Sequence, residues 1–330
     1  MVSAGSVSDK VSKVRLLIIK LSSIGDLVHS IPSYQALKKG FGTKDIEIDW
    51  LVYEHLAPCL FPVIDQKNLI YLKDKSFATL IKTATELKGR YDHVIDLQGL
   101  FKTALISKII SANSNYGFKM PREDWAKYFY KKSFCDYKSI ESKKHVIEQN
   151  LELCSEVFKT ITGEELESGT IDFSLKLDLS QSNSKKQICL IPATTWESKH
   201  WRLENWVSLI DKLDKEAELY ITGSPANLDY LKKITDSVTR EIKIVTDKKL
   251  EDLYEFYSKM DLVIGVDTGP LHIAAAALYG TDKKIIGIYG PSSGSRSGPY
   301  GFTAISADEL FKLKATNKKT YVKDHNSINR

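Results

Sequence analysis

Long apolar runs are missing from this chain. The longest, Leu16–Ile19 and Ile273–Leu278, fall far short of the roughly 20 residues that a membrane-spanning helix requires. The segment Met1–Lys13 is polar, and the apolar run behind it is short and lacks a small-residue cleavage site. The expectation is therefore a cytosolic protein without a secretory signal. Cysteine is scarce: Cys59, Cys135, Cys154 and Cys189 are scattered and form no Cys-x-x-Cys pair. A disulfide framework or a thiolate metal site is not expected, and the thiols read as reduced and mostly structural. No Gly-x-x-x-x-Gly-Lys-Ser/Thr loop occurs, and no Gly-x-Gly-x-x-Gly follows the first strand, which disfavours NTPases and ordinary dehydrogenases. His-Glu-x-x-His and Asp-x-Asp are also absent, so neither a metal nor another cofactor is expected, and phosphate chemistry would rest on protein cations and helix dipoles. Lysine and arginine number 47 against 42 aspartates and glutamates. That modest surplus permits an anionic ligand or membrane surface without demanding nucleic acid.

What is present is an ordinary globular composition over 330 residues, enough for two domains with their own cores. Short β-branched runs alternate with helical patterns, the signature of βα units in parallel sheets. A first series has strands near Arg15–Lys20, Ile46–Val52, Leu69–Leu72, His93–Leu97 and Asn115–Gly117. Helical spacing appears around Val28–Leu37, Phe101–Ile110 and His145–Phe158. A second series has strands near Ile188–Ile191, Glu218–Ile221, Ile242–Val245, Leu262–Val266 and Lys284–Tyr289. Its helices fall near Glu204–Asp214, Ala226–Ser237, Leu250–Lys259 and Pro270–Leu278. The reading is α/β, with two Rossmann-like domains whose parallel sheets face a central cleft. Residues 14–165 form the first domain and 188–313 the second, joined by a polar linker at 166–187; polar segments at 1–13 and 314–330 flank them.

Ligands of open parallel sheets bind outside the carboxyl ends of strands, and three segments sit there. Lys20–Asp26 joins the first strand to a helix beginning near Leu27; Asp26 either caps that helix or presents a carboxylate at the strand end. Gly265–His272 carries a buried strand into a helix through Asp267, Thr268 and Gly269. Free amides and the positive dipole end there suit a diphosphate; His272, one turn in, is either part of that site or a satisfied structural histidine. Ile191–Trp201 is a long polar loop whose Thr194, Thr195 and Lys199 either meet phosphate oxygens or belong to a solvated loop pinned by Trp201.

The ordered set of Leu17–Asp26 (LIIKLSSIGD), Tyr91–Lys102 (YDHVIDLQGLFK), Arg122–Glu123 with Phe129–Tyr130, Ala193–Trp201 (ATTWESKHW), Gly265–His272 (GVDTGPLH), Tyr289-Gly-Pro and Gly298–Gly301 resembles the lipopolysaccharide heptosyltransferases of glycosyltransferase family 9. The similarity runs over nearly the whole chain. It implies the GT-B architecture and an inverting, metal-independent transfer from ADP-heptose to the Kdo region of lipid A. It further implies that Asp26 is the general base and that Lys199 and His272 belong to the catalytic set. Thr194, Thr195, Asp267, Thr268 and Gly269 would surround the donor's diphosphate and sugar, and Ser22, Ser23, Lys102 and Arg122 would face the acceptor. Asn227 stands where this branch of the family usually has a glutamate contacting the donor nucleotide, which loosens the assignment of base and ribose.

Between Lys119 and Lys144 the chain has eight basic and four acidic residues, interleaved with Trp125, Tyr128, Phe129, Tyr130 and Phe134. Such a mixture suits an anionic amphiphile at a membrane surface, here the inner face of the inner membrane; the bland alternative is a solvated helix whose aromatics face the core. Rival functions are a heptosyltransferase II-like or other nucleotide-sugar transferase, and an inactive nucleotide-sugar binding protein. Nothing in the stretch matches a nucleic-acid binding module.

Overall fold

The computed structural model describes residues 13–42, 46–137, 144–167, 171–175, 177, 185–290 and 292–307. The expected polar tail, all but the last residue of the expected N-terminal extension, much of the expected linker, and Lys138, Glu141 and Lys143 of the basic stretch lie outside them. The first half contains β1 (Val14–Ile19), α1 (Ile24–Val28), α2 (Ile31–Phe41), β2 (Ile46–Tyr53), β3 (Leu69–Leu72), α3 (Phe77–Glu86), β4 (His93–Asp96), α4 (Phe101–Ile110), β5 (Ser114–Met120), β6 (Lys132–Asp136) and α5 (Val146–Thr162). The second contains β7 (Gln187–Ile191), α6 (Leu203–Lys212), β8 (Glu218–Thr222), α7 (Leu228–Thr235), β9 (Lys243–Val245), α8 (Leu253–Ser258), β10 (Leu262–Val266), α9 (Gly269–Leu278), β11 (Lys284–Tyr289), α10 (Gly294–Ser297) and β12 (Thr303–Ser306).

Each half is a six-stranded sheet, ordered β3-β2-β1-β4-β5-β6 and β12-β11-β10-β7-β8-β9, with every pairing parallel. Read from its first strand, each sheet has the same plan, so each has one point where the strand order reverses: β1 beside β4, and β7 beside β10. Those switch points open crevices at the carboxyl strand ends. Helices cover both faces, which is why Leu16, Leu17, Ile18 and Ile19 of β1 are all completely buried.

One apolar cluster runs through both halves, joining Leu16, Ile18 and Ile31 to Tyr254, Leu271 and Ile273. Its centre is α9, buried from Leu271 to Leu278. A helix apolar on all sides is a core helix, and its run of four alanines lets neighbours approach closely. Tyr254 also donates to the Cys59 carbonyl across the halves at 2.9 Å. Cys59, Cys154 and Cys189 are buried and Cys135 half-buried, all four free, and burial pushes each thiol up to about 12, so they are unreactive at neutral pH.

Three local expectations need correction. The helix after β1 starts at Ile24, not near Leu27, because Ser23 is its N-cap and Asp26, three residues later, completes a capping box. Strands β6 and β12 were not anticipated: β6 is largely exposed and polar and β12 has only four residues, so neither has an apolar rhythm to read. No described helix is long and apolar enough to cross a membrane.

Candidate active site

Lys20, the residue after β1, is completely buried, and its Nζ donates to the Leu97 carbonyl at 2.6 Å. Just beyond β4, Gln98 Oε1 accepts from the amides of Leu21 and Ser22 at 3.0 and 3.3 Å. The loop bearing Ser22 and Ser23 is thus tied across the switch point. Asp26 accepts from the Ser23 amide at 3.0 Å and the Ser23 hydroxyl at 3.3 Å, and Arg122 Nη1 lies 3.5 Å from the same oxygen, Oδ2. The helix-capping reading is therefore correct, yet it does not exhaust the residue. All three contacts use Oδ2, and no described residue hydrogen-bonds Oδ1. Burial works to raise the Asp26 pKa, but the charges of Lys20 and Arg122 and the Ser23 donors outweigh it and hold the carboxyl below its ordinary value. Asp26 is ionised at neutral pH.

Lys20 and Arg122, the two cations that act on this carboxylate, also share an aromatic neighbour. The buried Tyr137 ring has Lys20 Nζ at 5.9 Å, Arg122 at 5.8 Å and, from the second half, Arg296 at 4.9 Å. Arg296 also donates to the Tyr137 carbonyl at 3.3 Å. Lys102, at the start of α4, donates to the Tyr53 hydroxyl at 3.2 Å.

In the second half, Asp267 follows β10 and Thr268 is the N-cap of α9. Lys199 Nζ reaches Asp267 Oδ2 at 2.6 Å, the Ser292 hydroxyl donates to the same oxygen, and His272 Nε2 is 3.8 Å from Oδ1. Burial opposes the charge, but His272 and Lys199 prevail and hold the Asp267 carboxyl well below the usual range. The loop after β7 is pinned as one reading proposed: Trp201 meets Trp206 edge-on at 5.2 Å, and Tyr230 donates to the Trp201 carbonyl. Pinning positions Lys199 instead of excluding it. The Thr194 hydroxyl donates to the Asp267 carbonyl at 3.3 Å, and Thr195 is exposed beside it. Asn227 Oδ1 accepts from the Ser224 amide and hydroxyl at 3.0 and 2.6 Å, so its amide nitrogen remains the group it can offer a ligand.

The two clusters meet helix start to helix start. A Cβ on Gly25 would lie 2.6 Å from His272 Cδ2, and one on Gly269 would lie 2.7 Å from Ile24 Cβ. Only glycine lets α1 and α9 approach so closely. Gly25→Ala is expected to cost about 1–3 kcal/mol of stability through overpacking and to lower turnover, because Asp26 shifts with the helix; denaturant unfolding and initial rates check both.

Behind this contact lies a histidine chain that sequence reasoning did not find. His29 meets His272 edge-on at 4.4 Å and His145 at 5.2 Å, and His145 meets Tyr300 at 4.8 Å. The Ile147 amide donates to His145 Nδ1, so Nε2 carries the proton toward the Gly298 carbonyl at 3.0 Å. Burial lowers the pKa of His145 to about 4. Burial, aided by His272 and His145, lowers that of His29 well below the ordinary value. In the unfolded chain both titrate near 6.5. The unfolded state therefore binds more protons as pH falls below 6.5, and folding stability is lost between that pH and about 4. His145 alone accounts for a loss on the order of 3 kcal/mol. Urea unfolding from pH 7.5 to 4.5 should show this slope, reduced in His145→Gln; a flat profile would refute it.

Two facing sheets of this plan, with site residues at both switch points, define the GT-B class of two-domain transferases. The chain belongs to glycosyltransferase family 9, the heptosyltransferases, whose family profile matches residues 80–325. It is 30% identical over 306 residues to lipopolysaccharide heptosyltransferase 1 of Campylobacter coli, covering 86% of each chain. To the protein of that name in Escherichia coli K12 it is 26% identical, covering 87% of this chain and 91% of the other. Among solved structures it is similar to E. coli heptosyltransferase WaaC with ADP, with a TM-score of 0.72 and 24% identity over 94% of this chain and 100% of that one. The fold of E. coli ADP-heptose lps heptosyltransferase II is also similar, with a TM-score of 0.70 and 18% identity over 89% and 90%. The chain is thus a glycosyltransferase of the heptosyltransferase type.

The structure brings Asp26, Ser23 and Arg122 together on one side, and Lys199, Asp267, Thr194 and His272 on the other. Lys102 and Asn227 engage Tyr53 and Ser224 instead. Gln98, Ser292, Arg296, His29 and His145 were missed. Gln98 lay within a recognised segment; the others had no local signal.

Proposed function

We propose that this chain catalyses inverting, metal-independent transfer of L-glycero-D-manno-heptose from ADP-heptose to the Kdo region of lipid A in lipopolysaccharide inner-core assembly. Residues 14–165 take the acceptor and residues 188–313 the nucleotide sugar. The observation that carries this reading is an ionised Asp26 at one switch point, set against the start of α9 with Lys199 at the other.

In this mechanism the acceptor hydroxyl attacks the anomeric carbon and passes its proton to Asp26 Oδ1. The bond from that carbon to the diphosphate breaks, and its electron pair leaves on the phosphate oxygen. Lys199, the Thr194 and Thr195 hydroxyls and the first amides of α9 at Thr268 and Gly269 receive that charge. Displacement on the opposite face inverts the anomeric centre. A carboxylate is a weak base for an alcohol, and it serves here because the hydroxyl acidifies as it adds to an oxocarbenium-like carbon. Ser22, Ser23, Lys102, Arg122 and Arg296 face the acceptor, whose acidic sugars match the cations around Tyr137. His272 supports Asp267, and Asn227 contacts the ribose.

The test is a panel of ADP- and UDP-sugars. At a hundred times its Kd the true donor should stabilise the fold by about 2.7 kcal/mol, read as a melting shift, and ADP-heptose should be that donor. Product formation on Kdo-lipid A in chelator-treated buffer then checks acceptor and metal independence. A preference for UDP-sugars would overturn the donor assignment.

A further inference from the structure

Eight large apolar side chains stand exposed among the described residues, and their placement is uneven. Phe77 at 57% exposed, Phe101 at 42%, Met120 at 45% and Trp125 at 71% share the end of the first sheet that carries Asp26. Phe77 and Phe101 open α3 and α4, Met120 closes β5, and Trp125 lies in the 3₁₀ turn Asp124–Phe129 behind it. Tyr128, 66% exposed, extends the patch along α4, where Phe101 meets Phe129 at 5.3 Å and Trp125 meets Tyr128 at 5.9 Å.

The patch is also basic. Lys73, Lys75, Lys119 and Lys127 stand exposed among these rings, and Lys127 Nζ lies 5.2 Å over Tyr128. Two of the neighbouring carboxylates are occupied by the fold. Asp74 accepts from the Ser76 amide and the Thr79 hydroxyl, and Glu123 accepts from the Phe101 amide at 2.6 Å. Exposed rings interleaved with lysines, at the rim of one crevice, match the chemistry of an anionic headgroup layer: rings seat at the interface while ammonium groups meet phosphates.

We propose that this edge is the surface on which the enzyme lies against an anionic phospholipid bilayer, so that an acceptor embedded there reaches Asp26 without leaving the membrane. The second clause rests on the lipid-linked acceptor of the preceding reading; the first does not.

The test uses the full chain and flotation with phosphatidylglycerol/phosphatidylethanolamine vesicles, with phosphatidylcholine vesicles for comparison. The wild type should float with the anionic vesicles at low salt and be released by high salt, as screening requires. Trp125→Ser/Tyr128→Ser, and separately Lys75→Gln/Lys127→Gln, should each weaken vesicle binding about tenfold or more. The melting shift with ADP should stay unchanged, showing an intact fold. Transfer to acceptor in vesicles should fall in parallel, and transfer to a deacylated, water-soluble acceptor should be retained. Equal vesicle affinity in the variants, absence of binding by the wild type, or equal loss on both acceptors would overturn the docking surface. Absence of transfer to either acceptor by the wild type, with vesicle binding intact, would instead overturn the reading of the site.

Discussion

Asp26→Asn should lower kcat about a thousandfold while ADP affinity and melting temperature stay near wild type. Asparagine separates the capping role that Asp26 has from the role as base proposed for it. As the third residue of α1 it accepts from the Ser23 amide and hydroxyl, and an asparagine side-chain oxygen can accept the same bonds. What asparagine cannot do is take a proton, and loss of a positioned base costs about a hundred- to ten-thousandfold. A residue that only capped the helix would leave Asp26→Asn fully active. Asp26→Ala removes both roles, so it should show the same loss of turnover and also destabilise by about 0.5–2 kcal/mol. Initial rates with saturating donor, beside thermal melts of the two variants, separate the roles. The pH profile follows: because the Asp26 pKa is held below its ordinary value, protonation of the base cannot set the acid limit of activity. The loss of stability through His29 and His145 sets in first, as pH falls below about 6.5.

How far the sequence led depended on whether the signal was local. Strand β1 is completely buried through its centre, and its run of β-branched and leucine residues is visible without any fold. α4 was predicted with its observed ends, Phe101–Ile110. The start of α1 was misplaced because Ser23 and Asp26 form the N-terminal signature and the apolar residue Leu27 only follows it. Long-range partnerships were illegible. Nothing near Lys199 announces that it ion-pairs with Asp267, 68 positions on, and nothing near Arg296 announces Tyr137. His29 and His145 come from two helix termini of the first half that lie far apart in sequence, and His272 joins them only across the halves. The basic aromatic stretch shows the same limit at side-chain level. Tyr130 turns inward, donating to buried Asp96 at 2.8 Å and packing where a Cβ on Gly117 would be 2.3 Å from its ring, while Trp125 and Tyr128 turn outward. Adjacent residues of one composition thus divide between core and surface, and the glycine that decides it lies on a different element.

Lys199→Ala should lower kcat/KM about a hundred- to a thousandfold, the usual cost of one group aimed at developing charge. It should also destabilise the fold, because Asp267 is buried and would lose the cation 2.6 Å away; breaking such a pair costs about 3–5 kcal/mol, less what the remaining Ser292 donor and His272 offset. Those effects separate in the double variant Lys199→Ala/Asp267→Asn. Removing the under-compensated carboxylate should restore most of the stability, since an asparagine amide is far less costly to bury than a charge that has lost its nearest cation. Turnover should not return, because the ammonium proposed to meet the leaving group is still missing. Denaturant midpoints and kcat/KM for the wild type, the two single variants and the double variant form a complete cycle. Recovery of activity together with stability would mean that Lys199 serves only to neutralise Asp267. The charge on the departing diphosphate would then fall to the amides at the start of α9.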